Sequence, residues 1–376
     1  MLSMSSTTAA NEEDSHLVNG DIDKWIKYEE YPLVKSMLEH QSVRDGSFIC
    51  DAITQFEYPK GDEGWIRTIF LLRGRALHQI ALPWTVVSLH AVIVTLLIKL
   101  GVWDVTNVQD AVGDFPVLYG YVLNVALSFV LVFRLNRAAE RYWIGREFWG
   151  KTIALGRSLT SGMLTHGGHN PELRDDAVRW LCAATVSVMA FMRGDKVIPE
   201  NTLCGVLDKD SIRILESANH MPVYACDRVR DTLKQLFMVT AETPLALSNA
   251  WTVQLDRLER ELNDFMMQFG AMERVRATPL PIVYVAHLRT FLLIYLILFP
   301  YVFAPTQGWA TIPLTVITSF AFLGIEGASS EVENPFKKGH INNLNMDAMA
   351  MVMLQNIQQQ IQTKADIELE RRAKHV

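Results

Sequence analysis

VLYGYVLNVALSFVLVF, residues 117–133, runs without a break into RLNRAAERYWIGREFWG, residues 134–150. The first run carries no charge. The second opens on Arg134 and adds Arg137, Arg141 and Arg146, interleaved with Tyr142, Trp143, Phe148 and Trp149. A water-soluble helix has no physical reason to change character so abruptly. A helix leaving a bilayer does, because arginines mark its cytosolic end and Trp and Tyr rings settle at the headgroup level. The chain therefore reads as a membrane protein.

Three further stretches are apolar enough to meet lipid: about Ala76–Leu100, Leu280–Phe303 and Trp309–Ile325. Each is near the ~20 residues that a helix needs to cross about 30 Å of hydrocarbon. Charge sets their direction. Lys60, Arg67, Arg73 and Arg75 precede the first span, whereas the connection GVWDVTNVQDAVGD carries Asp104, Asp110 and Asp114 without Lys or Arg. Arg274 and Arg276 precede the third span, the connection APTQGWATIP is uncharged, and Lys337 and Lys338 follow the fourth. The positive-inside rule then predicts two hairpins, with both termini and the middle of the chain on the cytosolic side.

Between the hairpins, residues 173–192 read as an amphipathic helix that becomes almost wholly apolar at its end, and residues 251–272 repeat apolar positions near i, i+3, i+4 and i+7. A further helix is expected from Met346 toward His375. No strand-like alternation persists, so the fold class is all-α: a polytopic membrane protein with four transmembrane helices and a helical cytosolic region. The expected divisions are a tail at 1–24, N-terminal helices at 25–75 and a first hairpin at 76–137, its second helix running about 115–140. A cytosolic region at 138–278, a second hairpin at 279–326 and a C-terminal segment at 327–376 follow. The first residues show neither an apolar signal core nor an Arg-rich transit pattern.

Composition excludes several functions. A formal net charge of −6 argues against nucleic acid as the main partner, since phosphate binding needs a basic surface. The four cysteines, Cys50, Cys182, Cys204 and Cys226, lie far apart without metal-ligand spacing. His166 and His169 have nothing nearby to complete a coordination shell. No phosphate loop, HExxH or GxSxG occurs, so no catalytic residue is assigned and no enzyme is expected. Val125, Phe129 and Phe133, however, fall at i, i+4 and i+8 and stack along one helical stripe. Such a stripe can pack against a neighbouring helix. Repeated around an axis, it can form a hydrophobic constriction whose ring edges face an anion. Arg134, Arg137 and Arg141 below it can anchor the interface, or gather anions at an inner mouth.

The run SFVLVFRLNRAAERYWIGREFWG resembles the second transmembrane helix of the bestrophin channels, and most of all their bacterial, fungal, plant and algal branch. TPLPIVYVAHLRTF resembles that branch's entry to the third span, and IEGASSEVENPF its exit from the fourth. The resemblance implies a homopentamer in the lipid bilayer around one axial pore, conducting small monovalent anions, chloride foremost. It places Val125, Phe129 and Phe133 on the hydrophobic neck and a lower cytosolic aperture near Val253. One departure stands out. Animal members hold calcium with carboxylates just after Asn-Pro-Phe; here Asn334, Pro335 and Phe336 lead into Lys337, Lys338 and His340. Glu331 and Asn342 offer oxygens, but two nearby cations oppose a divalent ion. No calcium clasp or other cofactor is expected, and Glu326, Glu331 and Glu333 are assigned to helix packing and subunit contacts. A bicarbonate channel of a photosynthetic membrane, a cation-selective pore and a non-conducting scaffold remain alternatives, and the membrane, plasma or thylakoid, stays open.

Overall fold

The computed structural model describes residues 76–103, 113, 118–198, 202–203, 205–241, 243–338 and 342–374. The expected N-terminal tail and helices, Cys50, Cys204, His340 and the aspartates of the first connection lie outside them. The described residues form helices, with no strand among them. In chain order they are α1 (Leu77–Lys99), α2 (Asn124–His166), α3 (Pro171–Arg193), α4 (Lys209–Ser217), α5 (Met221–Leu236), α6 (Leu245–Ala277), α7 (Ile282–Gln307), α8 (Thr311–Val332) and α9 (Met346–Lys374). A wide π-type turn, Tyr119–Leu123, leads into α2, and a tight 3₁₀ turn, Gly308–Ala310, joins α7 to α8.

Among the described residues, three helical stretches are long and apolar enough to cross a membrane: Leu77–Lys99, Tyr119–His166 and Ile282–Val332. The last has 51 residues, or about 75 Å of helix at ~1.5 Å per residue, more than twice a hydrocarbon core. It folds back on itself. Leu280 bonds Glu333, Arg289 meets Glu326, and Tyr295 meets Phe322 at 5.8 Å, so rising numbers on α7 face falling numbers on α8. Gly308 makes the reversal with a φ of +58°, a conformation that L side chains rarely adopt.

The chain divides into two compact units, at residues 148/149, 270/271 and 344/345. These divisions fall inside α2 and α6, further along α2 than the expected Arg137. They also split the expected C-terminal segment.

In the unit holding the described residues from Ala76 to Phe148 and from Ala271 to Leu344, α1 runs antiparallel to α8: Gln79 bonds Glu331, and Trp84 donates to the Val316 carbonyl. Gly327 allows this approach, since a Cβ there would come within 2.7 Å of Ile80. Helix α1 runs parallel to α7, His90 meeting the Ile297 carbonyl while Val94 and Ile98 pack with Ala304. Tyr119, fully buried, stacks on Tyr295 at 4.3 Å and donates its hydroxyl to the Tyr295 carbonyl. That ring pins the turn entering α2 to α7. Leu127 and Leu131 continue the same core with Leu288, Leu292 and Leu296.

The other unit is built round α3. Asn170 caps it by accepting from the Leu173 N–H at 3.2 Å, with Pro171 as its first residue. Its apolar second half, Trp180–Ala190, is buried among protein neighbours. Helix α5 packs along α3, buried through Ala225, Cys226 and Val229. Helix α9 also lies on α3: Asp347 pairs with Arg193, and Met353 fills the space that a side chain at Gly156 would need.

Candidate functional site

Helix α2 has two faces. Leu127, Leu131, Arg134 and Ala138 recur at three- and four-residue steps and are fully buried against their own unit. Opposite them, Val125, Phe129 and Phe133 are 58%, 63% and 54% exposed. The rings of Phe129 and Phe133 lie 5.4 Å apart, tilted by 54°. The stripe is thus a presented apolar surface and does not pack inside its own subunit.

The arginines below it separate into three situations. Arg134 is buried. Its Nε donates to Glu326 Oε2 at 3.2 Å and its Nη2 to Glu333 Oε2 at 2.8 Å, leaving Nη1 buried without a hydrogen-bond acceptor. Glu326 receives a second arginine through Oε1, from Arg289 Nε at 2.8 Å. The other oxygen of Glu333 accepts from the Leu280 N–H at 3.0 Å. Burial alone pushes the Glu333 carboxyl upward, but the Leu280 N–H and Arg134 outweigh it and hold the group below its ordinary value. Two guanidinium and two carboxylate groups thus cross-brace α2, α7 and α8.

Arg141 serves helix ends. Its three nitrogens donate to the carbonyls of Glu333 (2.8 Å), Thr278 (2.7 Å) and Val275. Helix α6 ends at Ala277 and α8 at Val332, so these are carbonyls left without intrahelical donors. A cation there also complements both helix dipoles. Arg137 alone of the three stands in solvent, 66% exposed, with its Nη1 on Glu140 Oε2 at 2.8 Å.

Of the two roles open to these arginines, Arg134 and Arg141 are engaged as anchors within the subunit, and Arg137 is the one of the three that presents its charge to solvent. A guanidinium sealed by two carboxylates, or spent on three carbonyls, offers no free face to a passing ion. A signal in the sequence could have found this. Arg134 continues the three- and four-residue steps of Leu127, Leu131 and Ala138, so it belongs to the inward face.

Val253 is exposed on α6, in the unit built round α3. The turn after α8 is closed by its own groups: Asn334 Oδ1 accepts from the Phe336 N–H, and Asn343 Nδ2 donates to the Lys337 carbonyl. Phe336 packs against Gly145, where a Cβ would come within 3.0 Å of its ring. Glu331 accepts from Gln79 Nε2 at 2.8 Å, so all three glutamates at the end of α8 have partners within the subunit. Among the described residues no group of three or more His, Cys, Asp or Glu converges as a metal site. His169 instead donates to the Leu236 carbonyl and stacks on Trp251 at 4.3 Å.

Residues 58–359 match the family of bacterial and fungal bestrophin proteins. The voltage-dependent anion channel-forming protein of Nostoc sp. is 29% identical over 297 residues, covering 78% of this chain and 90% of that relative. A protein of the same name from Synechocystis sp. is 28% identical over 254 residues, covering 66% of this chain and 79% of the relative. Among solved structures, a bacterial bestrophin homologue from Klebsiella pneumoniae superposes with a TM-score of 0.63 at 18% identity, over 75% of this chain and 99% of that one. At that identity the superposition speaks for the fold.

Proposed function

The chain belongs to the bacterial/fungal bestrophin family and is an integral membrane protein, and from that premise we propose that it is a channel passing small anions. Its four long apolar helical segments cross the bilayer as two hairpins. Five copies surround one axis, with α2 of each lining the pore. Val125, Phe129 and Phe133 form the neck, and Val253 the lower aperture. Chloride is the main permeant ion.

The observation that carries this reading is the exposed stripe opposite the buried face of α2. Three large apolar side chains, presented away from the subunit core, require either lipid or copies of themselves. Repeated around an axis they make a constriction that gates by wetting, with the partly positive ring edges toward the ion. No step calls for a catalytic residue. The channel opens without a calcium clasp, because the glutamates at the end of α8 are engaged by Arg134, Arg289, Gln79 and Leu280.

The test is planar-bilayer recording of purified protein under a potassium chloride gradient, with and without a calcium chelator. A reversal potential near the chloride equilibrium value, unmoved by chelation, is the expected result. A value near the potassium potential would replace this reading with a cation pore. Silence from both wild type and a neck-truncated variant would leave a scaffold.

A further inference from the structure

The neck face of α2 does not end at Phe133. Positions seven or eleven residues apart lie nearly in line on a helix of 3.6 residues per turn. Asn136 is seven residues beyond Phe129, Glu140 is eleven beyond it, and Trp143 is seven beyond Asn136. All three are exposed, and α2 is unbroken through them. The line therefore carries an acid, while Arg137, four residues beyond Phe133, continues the stripe along its other edge. Arg137, a sixth of a turn round the helix from Glu140, pairs with it, with both side chains open to water at 66% and 52% exposure.

We propose that Glu140 is a specificity-determining residue: by pairing with Arg137 it cancels the positive charge held out below the neck, and so sets how strongly the inner mouth gathers anions. This rests on the reading of the stripe as the lining of an anion pore. At physiological salt an exposed charge is felt over about 8 Å. Opposite charges 2.8 Å apart present to an ion at that range a small dipole and not a net cation. Removing one partner leaves a whole charge on every subunit, repeated by symmetry around the axis. An exposed pair of this kind contributes little to folding, so either partner can be changed without loss of the fold. Arg134 and Arg141 cannot take over, since one is buried among carboxylates and the other is committed to carbonyls.

The experiment is single-channel recording in chloride, with reversal potentials under a potassium chloride gradient, for wild type, E140Q, R137Q and the double variant. E140Q should raise chloride conductance about two- to threefold and move the reversal potential toward the chloride value. R137Q should move both in the opposite direction. The double variant should return close to wild type, because the pair is then removed as a neutral unit. Single variants indistinguishable from a conducting wild type would overturn the proposal and leave the channel reading in place. Equal losses in both singles and the double would overturn it as well, marking a structural role. A wild type with no anion current would overturn the channel reading and this inference together.

Discussion

Phe129 and Phe133 hold the narrowest claim, because each presents more than half of its surface away from the subunit. In the proposed neck, replacing both by alanine should ease wetting, so open probability in bilayer recordings should rise; unchanged gating would reduce the stripe to packing. Arg134 makes the opposite case. Arg134→Gln leaves Glu326 and Glu333 short of a buried partner, a loss of about 3–5 kcal/mol that should appear as a markedly lower thermal midpoint in detergent. The same change at exposed Arg137 should shift that midpoint hardly at all. The stripe was legible because three residues at i, i+4 and i+8 need no other part of the chain to be read. The roles of the arginines were not. Arg134 is decided by Glu326 and Glu333, nearly two hundred positions away, and Arg141 by carbonyls that no sequence pattern displays.

Helix ends and helix faces set the next level. Glu333 joins Arg134, the Leu280 N–H and, through its carbonyl, Arg141. Its carboxyl is held below its ordinary value, so the stability it adds is complete above the unfolded carboxylate pKa. That stability is lost as pH falls through the lowered folded value. Thermal midpoints followed from neutral pH into that acid range should fall in wild type, and fall less steeply in Glu333→Gln. On α5, burial, with Asp227 beside it, pushes the Cys226 thiol up to about 12. In a background with Cys50, Cys182 and Cys204 changed to serine, Cys226 should resist maleimide at pH 8 until denaturant is added. Ready labelling of the native protein would contradict its place on the buried side of α5. The helical periods of α3 and α6 were plain in the sequence. The π-type turn at Tyr119–Leu123 was not, because it depends on Tyr119 finding Tyr295.

For the whole molecule, native mass measurement in detergent should give five copies, and a lone subunit would remove the pore. The apolar segments and their order were legible as long uncharged runs, and the arginines and aspartates between them predict their direction. The subunit count came only through resemblance, since an exposed stripe says that something covers it and not how many times. The contact between α7 and α8 bears on how the protein is made. Arg289 and Glu326 sit on opposite arms of the α7–α8 hairpin, 2.8 Å apart. Alone in a lipid-facing helix, either charge would oppose insertion by up to about 2.5–3.5 kcal/mol near the helix centre. Side by side they offset one another. Helix α7 is therefore poorly suited to settle before α8 has left the ribosome, and the two arms should partition from the translocon together. The salt bridge should therefore couple the two arms during biosynthesis: α7 expressed without α8 should be more readily extracted from the membrane than the whole hairpin.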